Sequence, residues 1–192
     1  MLGLTPRRRL PWQAGQTKSR LQPNAEVAVN EVPVDKRFAV LSEIARAQHF
    51  AWREAVRQCC PEVDPTDVVD RMWRITGQQT ARGYLKRIDP EQPLAPQVAR
   101  SIAWSSQCMG EDAVVEEDGA EAYVRHLDCP WFHWHQKLDL LAEDRPGCDA
   151  WFGTVVDGVN EELGTNLRFE TVETLPEGGA SCLRRFWVEE AP

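Results

Sequence analysis

Residues 112–135, DAVVEEDGAEAYVRHLDCPWFHWH, contain the change of hydrophobic pattern that decides the fold of this chain. Two short runs flank a Glu-Asp-Gly turn. The second run alternates between two sets of side chains, Ala122, Val124 and His126 against Tyr123, Arg125 and Leu127. This period of two predicts a β-hairpin. The aromatic run that follows has Asp128 as a cap and Pro130 in its first turn, so we expect it to form a helix.

Downstream of this stretch the sequence predicts a second helix and a second hairpin. Residues 145–164, RPGCDAWFGTVVDGVNEELG, repeat apolar side chains at i, i+3 and i+4 spacing and end at a glycine. Residues 166–190, NLRFETVETLPEGGASCLRRFWVEE, are typical of two strands on either side of Pro-Glu-Gly-Gly. The predicted order is therefore β-β-α-α-β-β, an α+β fold in which helices cover one face of an antiparallel sheet.

Upstream of the first hairpin the apolar spacing predicts three helices, over residues 36–60, 66–88 and 96–110. Two glycines, Gly77 and Gly83, weaken the later part of the second helix. The N-terminal half of the chain is thus expected to be helical.

The domain organisation follows from these patterns. Residues 1–34 show no sustained periodicity and are expected to form a flexible basic lead-in. Residues 35–192 are predicted to be a single α+β domain, with a helical part over 35–110 and a sheet-containing part over 111–190. A chain of 192 residues is long enough to give such a domain a substantial core.

Charge and composition exclude several classes of partner. The formal net charge is −8, and the early arginines and lysines precede the first acidic residue, Glu26, so the folded part is more acidic than the total. An acidic body argues against a nucleic-acid partner. No apolar run approaches the roughly 20 residues of a membrane span, and no apolar segment of a secretory signal follows the Arg-rich start. We expect a cytoplasmic protein whose six cysteines are reduced thiols.

Several cysteines are candidate functional residues. Cys129 and His133 are four residues apart, so on a helix they would share a face and could act as a nucleophile with its base or as two metal ligands. Cys148 is expected at the start of the second helix, where free N–H groups and the helix dipole lower the pKa of a thiol. Cys182 shares a strand face with Arg184. The alternative is that the cysteines are small buried hydrophobes and the neighbouring tryptophans are core residues.

The stretch WSSQCMGED, residues 104–112, gathers Ser105, Ser106 and Glu111 where the third helix meets the first strand. Two hydroxyls and a carboxylate near a glycine suit a polar ligand. Taken alone, they are better explained as a helix C-terminus with local hydrogen bonds between side chains and backbone.

The pair Cys129-Pro130, the segment from Cys148 to Gly164, and Gly178-Gly179 with Cys182 together resemble the family of bacterial L-2-amino-thiazoline-4-carboxylic acid hydrolases, over roughly residues 96–188. The order of elements is more distantly similar to that of 4-vinyl-reductase-type ligand-binding domains, some of which hold zinc through cysteines at the positions of Cys148 and Cys182. This chain has threonines where further zinc ligands would be expected, so zinc is not favoured and no cofactor is expected.

The resemblance implies hydrolysis of a small heterocyclic C–N or C–S bond, as in opening a 2-amino-thiazoline-carboxylate. The partner would then be a small-molecule substrate, and a homodimer is left open. The alternative is a non-catalytic small-molecule-binding or sensor domain of the same fold. The implied roles are nucleophile for Cys129 or Cys148, acid/base for His133, orientation for Asp149, a hold on the substrate carboxylate for Arg184, and pocket walls for Trp104, Trp131, Trp134 and Cys182.

Overall fold

The computed structural model describes residues 31–189. By its internal contacts the chain divides into a unit of residues 1–32 and a unit of residues 33–192, and the helices and strands given below belong to the second unit. Most of the predicted lead-in, residues 1–30, lies outside the described residues, so its flexibility stays a prediction. The α+β fold class is confirmed.

Three helices open the domain: α1 (Val34–Cys59), α2 (Pro65–Leu85) and α3 (Leu94–Cys108). The start of α2 has the local chemistry of a helix N-terminus. The Asp64 side chain accepts a hydrogen bond of 2.8 Å from the backbone N–H of Thr66, and Pro65 occupies the first turn, where its missing N–H costs nothing.

The remaining elements follow the predicted order. They are β1 (Asp112–Asp118), β2 (Glu121–Asp128), α4 (Pro130–Lys137), α5 (Leu141–Leu163), β3 (Leu167–Glu173) and β4 (Cys182–Val188). The four strands form one antiparallel sheet in the order β1-β2-β4-β3, so the two hairpins lie side by side through the β2–β4 pair. The helix α5 begins four residues before the predicted start at Arg145 and ends at Leu163, and Gly164 follows as its C-cap with a φ of 63°.

The β2–β4 register decides which side chains share the covered face of the sheet. His126 pairs with Cys182, Val124 with Arg184, and Ala122 with Phe186, and all six residues are buried. Along these two strands the inward positions therefore change from apolar at one end to polar at the other.

The core lies between this face of the sheet and the helices α3 and α5, with α2 packed along α5. Its largest fully buried side chains are Phe186, Ile102, Leu167, Val98, Val124, Val155 and Val159. Asn160 on α5 fixes the start of β3: its side chain donates to Leu167 O at 2.9 Å and accepts from Leu167 N at 2.7 Å.

No helix within residues 31–189 is long and apolar enough to cross a membrane. The cytoplasmic location and the homodimer stay predictions.

Two glycines let α2 and α5 pack closely. A Cβ added at Gly77 would lie 2.9 Å from both Thr154 Cβ and Trp151 O, and one added at Gly158 would lie 2.8 Å from Ala81 Cβ. By contrast, a Cβ at Gly83 on the same helix as Gly77 would meet nothing within 4 Å. Gly77 and Gly83 both weaken the helical pattern of α2 in the sequence. Of the two, only Gly77 is needed for the packing of α2 on α5.

We expect Gly77→Ala to lower the free energy of unfolding by about 1–3 kcal/mol, because the added methyl overpacks a contact with backbone. Gly83→Ala is the matched control on an exposed face, where alanine should raise the stability by about 0.5–1 kcal/mol. Urea denaturation of the two variants measures the difference. Equal effects of the two substitutions would contradict the close packing of α2 on α5.

Candidate functional site

A cavity of about 400 Å³ lies between the helices and the polar end of the β2–β4 pair. Five aromatic side chains line it: Trp73, Trp104, Trp131, Trp151 and Phe152. Three buried or half-buried thiols also line it: Cys129, Cys148 and Cys182. The hydroxyl and ionisable residues on its wall include Ser106, Glu111, His126, His135, Asp144 and Arg184. Aromatic walls with a few converging polar groups are typical of a small-molecule site.

The first polar group on the wall joins the end of α3 to the sheet. His126 Nε2 lies 2.9 Å from Ser106 Oγ and 3.2 Å from Glu111 Oε2. Glu111 directly precedes β1, and His126 occupies the covered face of β2. The helix end and the inward strand position thus bring a carboxyl, an imidazole and a hydroxyl into contact.

Burial strongly perturbs this group. Burial raises the pKa of Glu111 to about 7. Hydrogen bonds from Ser106 and Trp131 and the charges of Arg184 and Arg46 act in the opposite direction but are outweighed. Burial, together with the Arg184 charge, lowers the pKa of His126 to about 4. At neutral pH the imidazole is therefore uncharged, while the Glu111 carboxyl exchanges its proton near the ambient pH, which suits a general acid or base.

Arg184 brings a fixed positive charge to the same wall. It is 2% exposed, its guanidinium carbon lies 4.2 Å from the centre of the Phe152 ring, and its Nη2 lies 3.6 Å from Asp149 Oδ1. Asp149 is held in turn by Thr171 Oγ1, which donates to it at 2.7 Å. The Nε of Arg184 is buried and has no hydrogen-bond partner among residues 31–189. A buried guanidinium with an unpaired N–H is well placed to bind an anionic group.

The three buried or half-buried thiols on the wall are protonated at neutral pH. Burial raises the pKa of Cys129 well above its usual value, raises that of Cys148 to about 12, and also raises that of Cys182. The expectation of a lowered pKa at Cys148 is wrong: because α5 begins at Leu141, Cys148 lies two turns inside the helix, away from the free N–H groups. Within the described part of the chain, no group of three or more His, Cys, Asp or Glu side chains is arranged to hold a metal ion.

A second ionisable pair on the wall joins α4 to α5. His135 and Asp144 are 3% and 4% exposed, and His135 Nδ1 lies 3.0 Å from Asp144 Oδ2. The same Nδ1 lies 2.9 Å from the carbonyl of Trp131. Although Asp144 Oδ2 lies this close to the His135 ring, it has no hydrogen-bond partner among the described residues. The reason is that the N–H of the ring is directed to the Trp131 carbonyl.

Three of the predicted site residues lie outside this cavity wall. His133 is exposed, with 56% of its side chain accessible, and its Nε2 lies 2.6 Å from Asp128 Oδ1. Trp134 stacks on Phe50 at 5.4 Å between ring centres. Asp149 reaches the cavity only through its contact with Arg184.

The predicted pairing of Cys129 with His133 is absent for a geometric reason. Cys129 precedes α4 with an extended backbone, φ −132° and ψ 105°, so the four-residue spacing does not put the two side chains on one helical face. The buried face of α4 instead carries Trp131 and His135, which are also four residues apart. Six of the predicted site residues do line the cavity: Cys129, Cys148, Cys182, Arg184, Trp104 and Trp131. The catalytic role of the first two and the substrate-binding role of the other four stay predictions.

Sequence reasoning missed His126, His135 and Asp144 as site residues. For His126 a signal was present, because an imidazole occupies the otherwise apolar phase of β2. For His135 the spacing to Trp131 was a second signal. Asp144 gave none, because an acidic residue in the first turn of a helix is common.

A second cavity, of about 450 Å³, lies between α1 and α2. It is lined mainly by apolar side chains, with His49 and Arg53 as its ionisable members. Arg53 is already paired with Glu143. This cavity therefore lacks the converging polar groups of the first.

Comparison with known proteins gives a family and a fold. The family model described as L-2-amino-thiazoline-4-carboxylic acid hydrolase matches residues 42–186, about three quarters of the chain. No curated protein matches the sequence. Among solved structures, the chain is similar to a trafficking protein particle complex subunit 3 from Naegleria fowleri covalently bound to palmitic acid. The TM-score is 0.52 and the identity 14%, over 79% of this chain and 97% of that one. At this identity the likeness shows the fold alone.

The raised pKa of Glu111 predicts a pH-dependent effect of Glu111→Gln on stability. The folded pKa of about 7 lies above the ordinary value of 4.5, so the carboxyl favours folding below about pH 4.5 and this contribution is lost as the pH rises through 7. The glutamine variant should therefore gain up to roughly 3 kcal/mol over wild type at pH 8 and almost nothing at pH 4.

Chemical denaturation at the two pH values measures this difference. Glu162→Gln, on the exposed end of α5, is the matched control and should show no pH-dependent gain. A difference between Glu111→Gln and wild type that is the same at both pH values would show that Glu111 is not held in a desolvating site.

Proposed function

Because this chain belongs to the L-2-amino-thiazoline-4-carboxylic acid hydrolase family, we propose that it hydrolyses a small heterocyclic carboxylate inside the 400 Å³ cavity. The observation that carries the proposal is the coexistence, in one cavity, of a carboxyl that titrates near pH 7 and a buried guanidinium with an unpaired N–H. The first can move a proton in the reaction, and the second can hold an anionic substrate in place.

Substrate positioning is assigned to Arg184. The Nε of Arg184 has no hydrogen-bond partner among the described residues. The Nη2 of Arg184 lies 3.6 Å from Asp149 Oδ1, which is too far for a hydrogen bond. A substrate carboxylate would supply the acceptor that the buried guanidinium lacks, and the Phe152 ring fixes the plane of the guanidinium. Trp104, half exposed and stacked under Arg87 at 3.9 Å, lies at the border between the cavity and solvent.

Proton transfer is assigned to Glu111. In its ionised form it removes a proton from a water molecule, while Ser106 and His126, which contact one another, hold that water and the carboxyl in place. The attacked atom is the amidine-like carbon between nitrogen and sulfur in a 2-amino-thiazoline ring.

The bond changes balance with one water molecule. Hydroxide adds to the amidine-like carbon, and Glu111 passes the proton that it removed from water to the ring nitrogen. Collapse of the tetrahedral intermediate forms the carbonyl and breaks the carbon–sulfur bond, and Glu111 carries the proton of the intermediate's hydroxyl group to the departing sulfur. For 2-amino-thiazoline-4-carboxylate the product is N-carbamoyl cysteine with a free thiol, and the carboxylate of Glu111 is regenerated.

This mechanism needs no thiolate. A nucleophilic role for Cys129 or Cys148 would require deprotonation of a thiol whose pKa burial has raised, which is costly near neutral pH. In the proposed mechanism the thiols are neutral walls of the cavity, so their substitution by serine should leave most of the turnover. Loss of turnover in either variant, with a covalent adduct in wild type, would restore the cysteine nucleophile.

A second candidate function is the binding of an apolar molecule without turnover. It is favoured by the five aromatic residues and the three buried or half-buried thiols on the cavity wall, and by the palmitic acid that is covalently bound to the structurally similar trafficking subunit. An acyl chain would leave the Arg184 Nε and the Asp144 Oδ2 unpaired, which is unfavourable for buried polar atoms. A hydroxylamine-sensitive mass increase on a cavity cysteine after incubation with palmitoyl-coenzyme A would favour this function.

We expect product from 2-amino-thiazoline-4-carboxylate, or from a related heterocyclic carboxylate, to appear by mass spectrometry under reducing conditions. Glu111→Gln should lower kcat by at least about 100-fold with KM nearly unchanged, because it removes the base and keeps the shape of the side chain. In wild type, kcat/KM should rise with pH with a midpoint near 7, since the ionised carboxylate is the active form.

Glu117→Gln is the matched control, because Glu117 is exposed on β1 and pairs with Arg100. It should retain the wild-type rate and pH profile. If folded protein leaves 2-amino-thiazoline-4-carboxylate and the related heterocyclic carboxylates intact, the hydrolase proposal is overturned. A Glu111→Gln variant as active as wild type would overturn the role of Glu111.

A further inference from the structure

We propose that Asp144, with the indoles of Trp73 and Trp131, forms a subsite for a planar nitrogen cation, so that the cavity selects small zwitterions that carry an amidinium or guanidinium group as well as a carboxylate. This inference deepens the proposed function, on which it rests only in sharing the cavity and the anion-binding role of Arg184.

The starting observation is a buried carboxylate oxygen without a partner. Asp144 is 4% exposed, it lines the cavity, and its Oδ2 accepts no hydrogen bond within residues 31–189. A buried carboxylate is acceptor-only, and leaving its oxygen unpaired is expensive in a site shielded from water. The occupant that suits this oxygen is an N–H donor, preferably a charged one.

His135 does not fill that role. Its Nδ1 lies close to Asp144 Oδ2, but the N–H of the ring is directed to the Trp131 carbonyl at 2.9 Å. His135 therefore lies against the carboxylate without satisfying this oxygen. The contact is between α4 and the first turn of α5.

Two indole rings line the cavity together with this carboxylate. Gly147, three residues after Asp144 on α5, lies so close to Trp73 that an added Cβ would be 2.9 Å from the indole Cδ1 and Nε1. Trp73 and Trp131 meet edge to face, with ring centres 5.4 Å apart. Residues three apart on a helix share a face, so Trp73 lies against the same face of α5 as Asp144. Indole rings and a carboxylate on the wall of one cavity are a favourable setting for a planar cation, which can stack and donate at once.

The second charge of the cavity sets the selectivity. Cys148 lies one turn after Asp144 on α5 and lines the same cavity. Arg184, Asp144 and Cys148 all line this cavity, and the pKa of the Cys148 thiol is lowered by Arg184 and raised by Asp144, so both side chains act on the same part of the wall. A small ligand with charges of both signs would pair with the two together, whereas a neutral or singly charged ligand would leave one of them unpaired.

Titration calorimetry with two nearly isosteric probes tests the subsite. Guanidinoacetate carries a carboxylate and a guanidinium, and ureidoacetate replaces the cation by a neutral urea. Wild-type protein should bind guanidinoacetate at least about tenfold more tightly than ureidoacetate, as expected for a charge-assisted pair. Asp144→Asn should reduce this preference to about twofold or less, whereas Asp157→Asn, on an exposed position of the same helix, should keep it.

Equal affinities in wild type, binding of neither probe, or a preference that survives Asp144→Asn would each overturn the proposal. If Asp144→Asn does not fold, a crystal structure of wild type with guanidinoacetate replaces this variant as the test. A guanidinium group against Asp144 would support the subsite, and a guanidinium group elsewhere would overturn it. The binding measurement does not depend on turnover. A preference for guanidinoacetate without any hydrolysis of heterocycles would contradict only the proposed function. Hydrolysis without that preference would contradict only the Asp144 subsite.

Discussion

The antiparallel pairing of β2 with β4 is the contact on which both the fold and the cavity depend. It joins two hairpins that are distant in sequence into one sheet, and its register sets His126 opposite Cys182 and Val124 opposite Arg184. At the other end of the pair, Ala122 lies opposite Phe186 in the apolar core. A shift by one residue would turn all of these side chains to the opposite face, so the apolar end of the pair holds the polar end in register.

Burial next to this core gives the polar residues their chemistry. The helices α3 and α5 cover the sheet, and desolvation then raises the pKa of Glu111 and of the thiols and lowers that of His126. Each shift costs folding free energy in the pH range where the charged form would otherwise dominate. A fold selected for stability alone would place apolar residues at these positions, and their presence therefore points to function.

The order and type of the elements were predictable because each depends on local pattern: alternation for the strands, i to i+4 spacing for the helices, and proline or glycine at their ends. That the two hairpins lie side by side could not be predicted, because β2 and β4 are separated in sequence by α4 and α5 and their pairing does not depend on local pattern. The same distinction applies to the site. Arg184 and Cys182 could be placed on an inward strand face, but the phase of α4 depended on whether Cys129 is helical, and its extended backbone moved His133 to the surface. Gly77 and Gly83 look alike in sequence and differ only through the approach of α5.

The structurally similar trafficking subunit shares the fold of this chain at 14% identity. That subunit is covalently bound to palmitic acid, whereas the cavity of this chain contains a buried guanidinium, a buried carboxylate and a carboxyl that titrates near pH 7. In this chain the helices on the four-stranded sheet supply enclosure and aromatic surface, and buried ionic groups set the cavity apart from a purely apolar one. An apolar chain cannot satisfy buried ionic groups, whereas a ligand with charges of both signs can. Fold similarity alone therefore does not identify the ligand.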